Sequence, residues 1–262
     1  MPFRKNIIIS INQYILITFD INKVPMLFKD ITGNKKSKEQ LIKSVEKDRI
    51  SHAQLFFGNT GSAKLALALA FAQYINCDKK TKQDSCGKCK NCLSYKGLKH
   101  PDLHLIFPVL KNTKNRLSVS DNFIDEWRDF ALQNSYSCVN DWTSLFEDNK
   151  RGKHPAIYKD EAILIQQKLK LKNFQAKYRV VLIWMPEYMN IETSNKLLKL
   201  FEEPPKGTIF LLVSEKPNRL LPTIKSRLQN IHIKDFKKED IVEFFQKNNL
   251  DLKKLEILLQ ED

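Results

Sequence analysis

The chain has no run of apolar residues approaching the ~20 that a membrane-spanning helix needs, which excludes a helical integral membrane protein. It is short of acid: 30 Asp and Glu stand against 44 Lys and Arg, leaving a formal charge of +14. That imbalance favours an anionic partner such as nucleic acid, nucleotide or an acidic protein face. A lysine-rich, glycine-poor composition is also a habit of whole proteomes, however, so charge alone does not choose among them. A disulfide framework is missing too. Four of the five cysteines lie between Cys77 and Cys92 and Cys138 stands alone as an ordinary buried or free thiol, so nothing points to an oxidising compartment and the cytoplasm is expected. With 42% hydrophobic and 28% charged residues, the 262-residue chain is globular, long enough for one large domain or one domain and part of a second.

Two further absences concern chemistry. Gly58-Asn59-Thr60-Gly61-Ser62-Ala63-Lys64-Leu65 lies where a phosphate-binding loop would lie, between an apolar strand (Gln54 to Phe57) and a helix starting near Ser62. A working loop needs a glycine immediately before the lysine, to let backbone wrap a phosphate, and a hydroxyl immediately after it, to hold Mg²⁺. Ala63 and Leu65 occupy those places. Gly58, Gly61 and Lys64 therefore read as the remains of such a loop, and a strand-turn-helix unit with no ligand explains the spacing equally well. The second absence is at the end of Arg179 to Trp184, a continuous apolar, β-branched run that predicts a central buried strand. A nucleotide-hydrolysing enzyme would carry Asp-Glu there, one carboxylate for Mg²⁺ and one to polarise water. Trp184-Met185 stands there instead, and Glu187, beyond Pro186, reaches that place only along a different backbone path.

What is present is a cysteine cluster. Cys77, Cys86, Cys89 and Cys92 supply four thiolates with CxxCxxC spacing, suited to a tetrahedral Zn²⁺ at about 2.3 Å. Four ligands leave no position for water, so the metal would be structural; disulfides or an iron–sulfur cluster are the alternatives. The lysines of this module (Lys79, Lys80, Lys82, Lys88, Lys90) suggest a nucleic-acid reader, although no aromatic side chain for stacking lies between the cysteines.

Elsewhere the pattern alternates between helix and strand, which predicts an α/β fold with a parallel sheet and crossover helices. Helices are expected over 36–48, 159–171, 191–203 (stopped by Pro204-Pro205), 239–247 and 252–259, the last two joined at Asn248-Asn249. A short helical segment is expected over 220–227. Strands are expected over 103–107, 208–214 and 231–233. Residues 111–155 read as a polar, aromatic insertion containing Trp127 and Trp142, with a helix or two, the best over 123–132. The stretch from Ile7 to Ile17 follows Arg4 and Lys5 as a leader would, but Asn12 and Gln13 interrupt it and no cleavage site follows. An extra strand, or an upstream start with the true start at Met26, is expected there.

Taken together, HAQLFFGNTGSAK, the cysteine module, VVLIWMPEYMN, NKLLKLFEEPP and LLPTIKSRLQ resemble the AAA+ clamp-loader family of bacterial DNA polymerase III, from Met26 to the C-terminus. The resemblance implies a P-loop NTPase-like αβα domain over 26–233, enclosing the zinc module 77–92 and the insertion 111–155. A partial helical lid would follow over 234–262, after an N-terminal extension of uncertain status over 1–25. The family's C-terminal collar, which joins five subunits in a ring, is expected to have no counterpart in this sequence. The resemblance further implies a stator-type subunit that binds zinc through Cys77, Cys86, Cys89 and Cys92 and lacks ATPase activity. Such a subunit presents an arginine from a Ser-Arg-Cys motif to the ATP site of its neighbour. Ser226, Arg227 and Leu228 match that motif, the arginine kept and the cysteine lost; without the family, Arg227 would be an ordinary surface arginine. Ser214 matches a γ-phosphate-sensing position and is expected to sense nothing here. Implied partners are the other clamp-loader subunits, the sliding clamp and primer-template DNA, while ATP binding by Gly58, Gly61 and Lys64 is left open. The rival readings are an active AAA+ ATPase or helicase loader, and a zinc-containing nucleic-acid-binding protein.

Overall fold

A computed structural model describes residues 26–111, 118–133, 135–146, 154–171 and 175–247. The expected N-terminal strand, the Asn248-Asn249 turn and the helix over 252–259 lie outside the described residues. In chain order, α1 (Lys35–Glu46) precedes β1 (Ala53–Phe57), and α2 (Lys64–Asn76) leads into the cysteine module with its short α3 (Lys90–Lys96). Next come β2 (Leu103–Ile106), two helices within the insertion, α4 (Ile124–Gln133) and α5 (Val139–Ser144), and then α6 (Lys159–Leu169). The chain continues through β3 (Arg179–Trp184), α7 (Ile191–Glu202), β4 (Thr208–Ser214), α8 (Pro222–Lys225), β5 (Gln229–His232) and α9 (Lys238–Lys247).

The five strands form one parallel sheet in the order β2-β3-β4-β1-β5. Because successive side chains on a strand point to opposite faces, each continuous apolar run supplies two cores. Phe56, Val180, Leu182, Ile209, Leu211 and Val213 pack on one face with α2 and the insertion. Leu55, Val181, Ile183, Phe210 and Leu212 pack on the other with α6, α7 and α8. The result is an αβα layering, with helices on both faces of a parallel sheet.

Every residue of α2 is buried, and its alternating Ala66, Ala68, Ala70 and Ala72 let its backbone sit close against its neighbours on both sides. It starts at Lys64 rather than near Ser62: the Ala63 carbonyl accepts from the Leu67 amide (2.9 Å), and the residues before it form a turn closed by the Ser62 amide on the Asn59 carbonyl (3.1 Å). The carboxyl ends of the strands share a rim: Phe57 lies opposite Ser214 and His232, and Trp184 opposite Val213. In open α/β sheets ligands bind beyond this edge. The insertion leaves and returns there at one point, where Val109 and Ala156 exchange hydrogen bonds of 3.0 and 3.1 Å.

Candidate functional site

The loop after β1 keeps two positions that require glycine. A Cβ on Gly58 would stand 2.4 Å from the Ile233 carbonyl oxygen and 2.8 Å from Ser62 Oγ, so only glycine fits, and Gly61 adopts φ +80°, a left-handed conformation that glycine alone takes without strain. The lysine that would reach a phosphate is already committed. Lys64 Nζ donates to the Asn59 carbonyl at 2.9 Å and pairs with Glu215 Oε1 at 3.2 Å, with 3% of the side chain exposed. Burial pushes the Lys64 pKa down, while Glu215 and, more weakly, Glu187 oppose the shift. Removing one partner of such a pair leaves the other charge uncompensated. Lys64→Met is therefore expected to destabilise the chain by about 3–5 kcal/mol, read as a fall in the urea midpoint at unchanged slope.

The residues around the loop supply no hydrolytic groups. Leu65 is core, 2% exposed, and Trp184 is fully buried at the end of β3. After Trp184 the backbone turns through Met185 at φ 55°, the different path that Glu187 required. Glu187 Oε1 accepts from the amides of Glu215 (2.8 Å) and Lys216 (2.9 Å), which caps the end of β4. Ser214, expected to sense no phosphate, is fully buried with its hydroxyl unpartnered among the described residues.

Trp184 belongs to an aromatic cluster supplied mainly by the insertion. Trp127 stacks on Phe107 (centroids 5.0 Å, 6° between planes) and meets Trp184 edge-on at 6.0 Å; Phe130 lies 5.8 Å from Trp184 and 5.3 Å from Trp142. Trp142 Nε1 donates to the Pro108 carbonyl at 2.8 Å. The segment before α4 is pinned by Ser120, whose hydroxyl bonds both the amide (3.0 Å) and the carbonyl (3.1 Å) of Phe107, while its own amide donates to Glu161 Oε2 at 2.6 Å.

Glu161 is 4% exposed, and burial raises its pKa to about 7 against the pull of the Ser120 amide. A carboxyl with a raised folded pKa holds its proton longer folded than unfolded. Stability therefore falls as pH rises from about 4.5 to 7, by ~3 kcal/mol, and levels off above that. Glu161→Gln, which keeps the acceptor for Ser120, should abolish that decline in urea titrations compared at pH 5 and pH 8.

The remaining expected site residues lie elsewhere on the molecule. Arg227 follows α8, on the opposite face of the sheet from the insertion, with its side chain one-third exposed. Its Nε donates to Glu202 Oε1 at 2.6 Å and its Nη1 to the Thr223 carbonyl (2.5 Å) and Ser226 Oγ (3.3 Å). Leu228, in place of the motif's cysteine, packs into the core beneath α7 and α8.

The four cysteines converge. Their sulfurs lie within 4.8 Å of one another, Cys86 to Cys92 at 3.9 Å and Cys77 to Cys89 at 4.0 Å, and none is in a disulfide. A tetrahedron of thiolates at about 2.3 Å from a metal has edges of about 3.8 Å, so the set fits one ion. Cys77 caps the end of α2, Gly87 makes the turn after Cys86 at φ +67°, and Cys89 starts α3. Amides of Lys88 and Cys89 donate to Cys86 Sγ, and hydrogen bonding of this kind lowers its pKa to about 6. Burial pushes Cys77 and Cys92 up, so ionising all four thiols calls for a cationic counter-charge.

With this geometry established, comparison with known proteins identifies the family. A family model described as DNA polymerase III, delta subunit, matches residues 33–237. The chain belongs to that family. DNA polymerase III subunit delta' of Bacillus subtilis is 32% identical over 191 residues, 73% of this chain and 44% of that protein. Subunit delta' of Pseudomonas aeruginosa is 31% identical over 180 residues, 68% of this chain and 41% of that protein. A solved gamma subunit-related protein of DNA polymerase III from Thermotoga maritima aligns over 78% of this chain and 47% of that one, at 17% identity and a TM-score of 0.41. The chain thus spans less than half the length of the delta' relatives.

The sequence pointed to the loop, the cysteines and Arg227, but the structure gathers only the cysteines into one site and holds the loop and Arg227 apart. The sequence did not reveal Glu215 as the partner of Lys64 or, although Glu202 lies in the NKLLKLFEEPP signature, its pairing with Arg227, because no motif announces a partner so distant in the chain. It noted Trp127 and Trp142 without a role; an aromatic concentration in a polar insertion was the available signal. Among the described residues, no helix is long and apolar enough to cross a membrane.

Proposed function

We propose that this chain is a non-hydrolysing, delta'-like stator of the DNA polymerase III clamp loader, which assists ATP-driven neighbours in placing the sliding clamp on primed DNA in the cytoplasm. The observation that carries the reading is the Lys64–Glu215 pair: the one cation that a phosphate would need is neutralised from within, beside a position where Leu65 offers no ligand to Mg²⁺ and Trp184 no carboxylate. Family membership and the delta' relatives support the assignment to the polymerase. In this reading residues 26–233 form the nucleotide-binding-type domain and a lid begins at 234. The four cysteines hold a structural zinc, which takes the place of a core that so short a module cannot bury. Arg227, with Ser226, acts in trans on the ATP site of an adjoining subunit in a pentameric ring, and the sliding clamp and primer-template DNA are the further partners.

The test is ATP hydrolysis measured with the chain alone and in a reconstituted clamp loader. The expected result is none alone and DNA-stimulated turnover in the complex. Robust hydrolysis by the isolated chain would overturn the proposal in favour of an active ATPase.

A further inference from the structure

We propose that the insertion between β2 and β3 is a built-in occupant of the nucleotide crevice, filling with the chain's own side chains the space that a nucleotide takes above a working phosphate loop. This rests on the non-hydrolysing reading but goes beyond it, because a subunit unable to hydrolyse ATP can still bind it. Described side chains of the insertion are anchored at both ends of the rim. Over β2 and β3, Trp127, Phe130 and Trp142 close on Phe107 and Trp184, all but Phe130 less than 2% exposed. The segment joining α4 to α5 then reaches the β5 side, where the Tyr136 ring lies 5.9 Å from that of Phe236, just past the end of β5.

The polar groups beneath show what has been covered. The hydroxyls of Ser62, in the loop, and Ser214, at the end of β4, are buried without hydrogen-bond partners among the described residues. Buried hydroxyls are ordinarily paired. Two orphans flanking a lysine held by an internal carboxylate are what remains when a polar crevice is roofed by aromatic side chains. The roof is fixed in place by Ser120 on Phe107, by Trp142 on the Pro108 carbonyl and by the bridge between Val109 and Ala156, so its closure belongs to the fold.

The experiment uses the full, metal-loaded chain. Mg-ATP is titrated into it by calorimetry up to millimolar concentration, and amide exchange is followed over residues 58–64 in the wild type, Tyr136→Ala, Tyr136→Leu and Phe236→Ala. The expected result is no binding by the wild type and protected loop amides. Tyr136→Ala and Phe236→Ala, which loosen one contact from its two sides, should each speed loop exchange roughly three- to tenfold, the range an aromatic contact of this kind spans. Tyr136→Leu, which keeps an apolar contact, should retain most of the protection. Binding of Mg-ATP without hydrolysis, or loop exchange indifferent to both alanine variants, would overturn the occupant while leaving the non-hydrolysing reading intact. Hydrolysis by the isolated chain would overturn both.

Discussion

Arg227→Ala, in a clamp loader reconstituted around this chain, is expected to lower DNA-stimulated ATP hydrolysis by ~10³-fold or more, the range over which an arginine supplied in trans stabilises the charge of phosphoryl transfer. The chain alone, with nothing to hydrolyse, should show no change. The geometry adds a condition to this expectation. With Nε on Glu202 and Nη1 on the Thr223 carbonyl and Ser226, most of the guanidinium's donors are engaged within the subunit, so Arg227 must exchange partners to meet a phosphate. The exchange costs little, because a pair this exposed is worth ~0–1 kcal/mol, whereas a γ-phosphate offers the planar fork several charge-assisted hydrogen bonds. Arg227→Lys keeps the charge without the fork and should recover only a small part of the lost rate. A fall of less than about tenfold for Arg227→Ala would mean that the residue is a surface ion pair with Glu202 and that the trans-acting role is wrong.

The sheet was legible because its physics is local. A parallel strand buried on both faces must be apolar throughout, so Arg179–Trp184 and Thr208–Ser214 stand out from the sequence with the ends they have in the fold. Helix ends were less legible. The start of α2 at Lys64 follows a turn in the loop, from the Ser62 amide to the Asn59 carbonyl, that leaves no pattern in hydropathy. The helix α3 was missed, and α5, the second helix allowed for in the insertion, could not be placed: each is short and polar, the first shaped by cysteine spacing and the second held by the burial of Val139 and Trp142. The same division runs through the site. CxxCxxC prescribes its own geometry over a few residues, and the absences at Leu65 and Trp184 could be counted position by position. The neutralisation of Lys64 could not, since Glu215 follows β4, three crossovers along the chain from β1, and meets the loop only once the sheet has aligned the ends of β1 and β4.

Removing the metal is the other change expected to be large, and its reach follows from what the cysteine module touches. The protein purified without chelator should contain one zinc per chain, and iron in its place would reassign the site to an iron–sulfur cluster. Stripping the zinc, or replacing the buried Cys92 by serine, withdraws an interaction that contributes ~10–16 kcal/mol in isolated zinc-binding peptides at neutral pH. The loss should not stay within the four sulfurs. The Asp84 carboxylate accepts the amides of Phe28 (3.1 Å) and Lys29 (3.0 Å), and Phe28 packs edge-on against Tyr74 of α2 at 5.5 Å, so the segment before α1 depends on the module being ordered. On the other side, Asn91 of α3 donates to the Asn76 carbonyl (3.0 Å) and accepts from Gln175 (3.2 Å), tying the module to the end of α2 and the approach to β3. Amide exchange should therefore rise over residues 26–31 and 77–99, while the centres of β1, β3 and β4 stay protected, because these two segments supply only Met26, Phe28, Ile31, Tyr95 and Leu98 to one core and nothing to the other. Module amides that remain protected in metal-free protein would show instead that the asparagine and aspartate network holds this region by itself and that the four sulfurs gather without an ion to bind.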